Sequence, residues 1–224
     1  LGEFINIFGI RKIRILTKID SIKNRKNLKD EIIKSIEKSL KHINKIDTLF
    51  FHDPKDFIFL SKNLDLILNV KKTFKITNVG FSIYDFKDLK ILSNHNDFSV
   101  QLPLNLANKK FLNKKINSEN IYARSIFLQG LLINNKIKKN IPLNLKKMHK
   151  KYHSILIDRN LDPLAVNISF IKKITNLKNV LVGFDNIKQI KKFLNAKANQ
   201  NFDENIYDKL NSCFDQKYLD PRKW

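Results

Sequence analysis

Apolar residues in this chain fall into two kinds of run that take turns along it. Short runs read as buried strands: Lys12 to Ile19, Asp47 to Phe51, Ile76 to Ser82, Phe98 to Pro103, Ile121 to Ser125 and Val180 to Gly183. Between them lie stretches whose apolar residues recur at three- and four-residue steps, the period of a helix with one buried face. Asn27 is placed to cap the first, which carries Leu28, Ile32, Ile36, Leu40 and Ile43 on one side and Asp30 and Glu31 in its opening turn. Further helices are predicted near Ile58 to Val70, from Asp85 to Leu92, around Leu143 to Leu156, from Ser169 to Ile174 and from Ile187 to Leu194.

The strand-end residues Lys18, His52, Ser82, Gln101, Arg124 and Gly183 recur at intervals close to one βα unit, roughly 30 residues, except the last, which is about twice as long. Pro163-Leu164-Ala165-Val166 is read as the start of the extra unit in that gap, making seven βα units. Regular alternation predicts a parallel sheet covered by helices. A doubly wound sheet would carry a Gly-rich phosphate loop after its first strand, but the five glycines are not grouped that way. The expected fold is a (β/α)8 barrel, α/β in class, lacking its first βα unit. No linker or low-complexity block divides residues 1–224, so one domain is expected.

Candidate chemistry sits where strands end. Asp47-Thr48-Leu49-Phe50-Phe51 is followed at once by His52, Asp53 and the strand-stopping Pro54. A strand holds such an imidazole rigid at the rim of a core, where α/β enzymes place catalytic groups. Lys18 ends the preceding strand, so the two should meet at one mouth. His42, His95, His149 and His153 show no paired ligand spacing, and no metal is proposed.

Composition changes this picture little. The chain carries 43 Lys and Arg against 21 Asp and Glu, for a net charge of +22. The lysines are spread over polar helix faces rather than clustered with Arg or aromatic residues, which argues against a specific nucleic-acid partner. No stretch approaches a membrane span. The lone Cys213 excludes an internal disulfide framework and fits a reducing cytoplasm.

In order and spacing these segments resemble the aldo/keto reductase family over nearly the whole chain. Leu1-Gly2 resembles the Leu-Gly that follows the family's Tyr-Gly-x-Ser-Glu segment, and Leu16-Thr17-Lys18 its strand ending in Thr-Lys. Ile46 to Pro54 is similar to the strand ending in His. Val79-Gly80-Phe81-Ser82 and Val100-Gln101-Leu102-Pro103-Leu104-Asn105 are similar to the fourth and fifth strands. Ala123-Arg124-Ser125 through Gln129-Gly130-Leu131-Leu132 resembles the sixth, and Val182-Gly183 to Ile190 the eighth.

The resemblance implies hydride exchange between a nicotinamide cofactor, by preference NADP with NAD as the alternative, and a small carbonyl or alcohol substrate. Lys18 and His52 stand at two of the family's four catalytic positions. Ser82 and Gln101 match positions that hold the nicotinamide carboxamide. Arg124 stands where many members stack a Tyr on the ring, and Gly183, Lys188 and Gln189 stand in the region that binds cofactor phosphate.

The family's catalytic Asp and Tyr precede the Leu-Gly and so fall outside this chain, which is expected to be a truncated, poorly active form. The alternative is a non-catalytic nicotinamide-binding or interaction module on the same barrel. Ser82 could instead cap the following helix, and Arg124 could pair with an acidic neighbour. The segment from Tyr218 to Trp224 could fold over the barrel mouth or form an ordinary packed tail.

Overall fold

The computed structural model describes residues 13–22, 27–92, 97–112, 116, 120–137, 140–174, 177, 179–196 and 202–224. Leu1-Gly2, Lys12 and His95 lie outside the described residues. The chain divides into two compact units, Leu1–Leu102 with Lys115–Tyr122, and Pro103–Lys114 with Ala123–Trp224. Six strands follow chain order in one sheet: β1 (Leu16–Ile19), β2 (Thr48–Phe51), β3 (Asn78–Ser82), β4 (Ser99–Pro103), β5 (Ile121–Arg124) and β6 (Asn179–Val180). The class is α/β.

In the first unit β1 to β4 pair in parallel, with Lys18 opposite Phe50, Phe50 opposite Gly80, and Gly80 opposite Ser99. Parallel neighbours need a crossover, and helices supply each one. They are α1 (Leu28–Leu40), the pair α2 (Pro54–Leu60) and α3 (Leu64–Thr73), and α4 (Phe86–Leu92). One sheet face carries Leu49, Phe51, Val79, Phe81, Val100 and Leu102, all buried. Phe51 stacks on Phe81 at 5.3 Å between ring centres, and Phe81 meets Phe98 edge-on at the same distance. Each such ring contributes roughly 1.5–3 kcal/mol by leaving water.

Asp47 ties the edge of this sheet together. Its carboxylate accepts from Ile15 N at 2.6 Å and from Lys45 Nζ at 3.0 Å, while Asp47 N donates to Ile15 O at 2.9 Å. Asn27 stands at the head of α1 without a capping hydrogen bond from its side chain.

In the second unit the long helix is α5 (Leu143–Asp158), followed by α6 (Pro163–Lys172), α7 (Ile187–Leu194) and α8 (Glu204–Asn211). The expected strand at Pro163 is a helix instead. Asn160 takes the left-handed conformation, φ 51°, that ends α5, and Leu161 N returns to Leu156 O at 2.8 Å. Asp162 then caps α6, accepting from Ala165 N at 3.0 Å, and Pro163 sits at the first helical position, where its missing N–H costs nothing. Every residue from Leu164 to Ile171 is buried, so the helix shows no apolar stripe and resembles a strand in pattern. Six strands are therefore seen among the described residues.

Other boundaries shift. The helix expected near Ile58 to Val70 is two helices, parted at Asn63, whose Nδ2 donates to Phe59 O at 2.8 Å. The strand expected from Val180 to Gly183 is the two-residue β6, extended by Leu181 N donating to Ala123 O at 2.8 Å. α8 had no counterpart in the sequence reading; Asp203 caps it and Ile206, Tyr207 and Leu210 bury one side. The C-terminal segment forms two 3-10 turns, Gln216–Tyr218 and Pro221–Lys223.

Candidate active site

Side chains in register on a parallel sheet share a face. Lys18, Phe50, Gly80, Ser82, Ser99 and Gln101 therefore all project on the side opposite the aromatic layer described above. Phe50 and Gly80 build the lower level of this face. A Cβ on Gly80 would come 2.7 Å from Phe50 Cε1 and closer still to the backbone oxygen of Ser99. The missing side chain lets the Phe50 ring lie over the β3 backbone, where it meets Tyr122 edge-on at 5.2 Å. Phe50 is fully buried.

Above this apolar level the strand ends are polar. Gln101 and Ser82 are buried, and Ser82 Oγ donates to Gln101 Oε1 at 3.4 Å. Lys18 Nζ donates to the same oxygen. On a flat sheet β1 and β4 would stand three strand spacings apart, about 14 Å. Gln101 lies in addition two residues beyond Ser99 along the strand. Two extended side chains do not bridge that distance, so the contact requires the β1–β4 sheet to curl around this face. Both contacts use the Gln101 carbonyl oxygen, and the amide nitrogen takes part in neither.

His52 continues the same face two residues beyond Phe50, and its backbone N–H extends the ladder to Ile19 O at 3.0 Å. The residue is exposed. Lys18, His52, Ser82 and Gln101 thus occupy the C-terminal end of one sheet face in the first unit.

The other four expected residues belong to the second unit. Arg124 ends β5, half-buried, and its Nη1 donates to Ser125 Oγ at 3.4 Å. Gly183 has open space where a Cβ would stand. Lys188 and Gln189 lie exposed in the first turn of α7. Gln189 is engaged in capping that helix. Its N–H donates to Asn186 Oδ1 at 3.0 Å, and its side chain receives Asp185 N at 2.8 Å and donates to Asp185 Oδ2 at 3.2 Å.

The family model for the Aldo/keto reductase family matches residues 1–215. The chain belongs to that family. No curated protein matches it. Among solved structures, a glycerol dehydrogenase from Gluconobacter oxydans is similar, with a TM-score of 0.68 at 15% identity, covering 95% of this chain and 75% of that one. An aldo-keto reductase from a Medee basin deep-sea metagenome library is similar with a TM-score of 0.64 at 15% identity, covering 95% and 76%. Likeness at that identity speaks to the fold alone. Among the described residues no helix is long and apolar enough to cross a membrane.

Sequence reasoning missed two features of this family member. The first is the Phe50–Gly80 level under the polar cluster, signalled only by a Gly inside an otherwise apolar strand. The second is a histidine pair in the second unit. His149 and His153 stand one turn apart on α5, with ring centres 4.2 Å apart. His149 Nε2 bonds Asn134 O at 2.8 Å and His153 Nε2 bonds Leu131 O at 3.1 Å. Burial pushes both imidazoles below their ordinary range, against a smaller upward pull from those carbonyls. Their four-residue spacing was the available signal, and it marks a clamp on the 131–134 segment.

Proposed function

We propose that this protein is a nicotinamide-dependent oxidoreductase exchanging a hydride with a small carbonyl or alcohol substrate, with NADPH the first choice of cofactor and NADH the alternative. Membership in the aldo/keto reductase family supports the reaction class. The single observation that carries the site is the convergence of Lys18 and Ser82 on Gln101 at the buried strand ends. A buried hydroxyl and a buried amide side by side suit a planar carboxamide, which offers one acceptor and two donors in return.

When bound, the cofactor would supply the hydride. The chain's own residues have separate tasks around it. Ser82 and Gln101 would hold the carboxamide and so fix the ring face presented to substrate. Hydride arrival at a carbonyl carbon builds negative charge on its oxygen. Lys18 would place a positive charge toward that oxygen, and His52 would donate a hydrogen bond or proton there. Arg124 would lay its planar guanidinium against the ring. Gly183, whose position leaves room for close backbone approach, would accept phosphate at the α7 N-terminus, with Lys188 adding charge and Gln189 shaping that turn.

We further propose that residues 1–224 form one domain of the (β/α)8 class. Reduction by this chain is proposed to be slow, because none of its residues matches the family's Asp or Tyr. The experiment is a fluorescence titration with NADPH and NADH. Saturable binding that weakens in Ser82→Ala and Gln101→Leu supports the reading. Absence of binding by folded protein overturns it. Binding without any turnover favours the non-catalytic alternative.

A further inference from the structure

We propose that the second unit carries a separate binding site for an acidic monosaccharide, walled by Trp224 and residues within 129–137 and 140–141. A cavity of about 310 Å³ opens there. That volume lies at the small end of ligand sites and has room for one sugar ring with a carboxylate, not for a dinucleotide. Every lining residue belongs to the second unit. None of Lys18, His52, Ser82, Gln101, Arg124, Gly183, Lys188 and Gln189 is among them, so the inference stands apart from the cofactor reading.

The lining chemistry is specific. Among the described residues Trp224 and Ile141 give apolar wall, Gln129 and Asn140 bring primary amides, Asn134 brings its amide oxygen, and Lys136 is a cation. The C–H face of a sugar ring is apolar and slightly positive, and it packs well on the negative face of an indole. A primary amide combines donor and acceptor, the combination that vicinal hydroxyls need. A lysine among neutral amides favours an anionic ligand over a neutral one. Among the described residues no acidic side chain lines the cavity, which disfavours a cationic ligand.

The walls are also held in place. Trp224 Nε1 donates to Tyr218 O at 2.7 Å, tying the indole back to its own turn. Tyr218 in turn accepts from Asn144 Nδ2 at 2.7 Å through its hydroxyl. Leading into the other lining stretch, Leu128, Gln129 and Gly130 run consecutively through the left-handed region, with φ of 47°, 56° and 84°. For the two non-glycine residues that conformation costs roughly 1–3 kcal/mol each, and such strain gathers where a surface must be held in one shape. His149 and His153 fasten the continuation of that turn through the carbonyls of Asn134 and Leu131, and Asn134 Nδ2 closes it on Gly130 O at 3.0 Å. An aromatic wall and a rigid amide-bearing turn thus face one cavity.

Trp224 is the chain's sole tryptophan, so its emission reports on this cavity alone. The test is a fluorescence titration of the whole chain with glucuronate and, in parallel, glucose. Glucuronate should change the emission saturably in the millimolar range. Lys136→Met should weaken glucuronate about tenfold while leaving any glucose response unchanged, as expected for one charge-assisted contact. Asn140→Ala should weaken both sugars. Far-UV circular dichroism confirms that each variant is folded. No saturable change with glucuronate overturns the proposal, and so does a change that neither variant alters. Because the readout is sugar binding and not turnover, failure here leaves the strand-end site untouched, and failure of cofactor binding leaves this test intact.

Discussion

The ammonium of Lys18 on β1 donates to Oε1 of Gln101 on β4, across the two strands that separate them in the sheet. Ser82 on β3 donates to the same oxygen. One buried carbonyl therefore gathers donors from two other strands, and replacing it separates fold from binding. Gln101→Leu removes the acceptor from both and should cost about 1–3 kcal/mol in urea unfolding. Gln101→Glu keeps an acceptor for Lys18 but loses the amide donor. It should retain most of the stability while weakening NADPH in a binding titration. Equal NADPH affinity in Gln101→Glu and the parent would remove Gln101 from the cofactor site.

Gly80 lies under the Phe50 ring. Gly80→Ala should destabilise by about 1–3 kcal/mol, the usual cost of forcing extra volume into a packed layer. Phe50→Ala should cost about 3–5 kcal/mol. The double variant should be less destabilised than the sum, because removing the ring relieves part of the clash. The relief is partial, since the Ser99 backbone oxygen stays in place. A denaturant-based double-mutant cycle measures the difference, and simple additivity would contradict the layer described above.

Burial raises the Asp47 carboxyl, but the Ile15 N–H and the Lys45 ammonium outweigh it, and the group ends below its usual 3.8. The folded state thus holds the charged form more tightly than the unfolded chain does. This contribution is present above about pH 4 and fades as the pH falls through the lowered value. Lys45 is partly exposed, so most of the effect belongs to the backbone bond. Asp47→Asn should lose about 1 kcal/mol at neutral pH, and its gap from the parent should close in strong acid.

The His149–His153 clamp gives the opposite window. Burial holds both imidazoles below 6.5, so the unfolded chain takes up protons first as pH drops. Stability from this pair is complete above about pH 6.5 and declines as the pH falls toward the folded values. Unfolding midpoints should decrease between about pH 7 and pH 5, and the decrease should shrink in the His149→Gln/His153→Gln variant. An unchanged slope in that variant would place the acid sensitivity elsewhere.

Asp162 caps α6 where a strand was expected. Asp162→Ala should cost about 1 kcal/mol, while Asp162→Asn should restore most of it. Thermal unfolding of the two variants checks the order.

The legible part of the fold was local. The strands at Lys18, Ser82, Gln101 and Arg124, and the one just before His52, were readable because continuous apolar runs stop at polar or strand-breaking residues. α7 was readable from Ile187 to Leu194 because its apolar residues follow helical spacing. The helix at Pro163 was misread because all-round burial erases periodicity, although Asp162-Pro163 carried a helix-start signal. The clamp of His149 and His153 escaped notice because spacing alone does not say which carbonyls a ring will meet.

By itself the sequence determined the alternation of strands and helices, the face each strand residue shares, and membership in a family of oxidoreductases. These follow from chain-local rules: the two-residue pleat, the helical period and the order of motifs. Only the tertiary structure decided that Lys18 reaches Gln101, that Phe50 covers Gly80, that His52 is exposed, and that Gln189 is engaged in a helix cap. Those facts depend on how far a sheet curls and which side chains then come within reach, and curvature is a property of packed strands that no single stretch of chain contains.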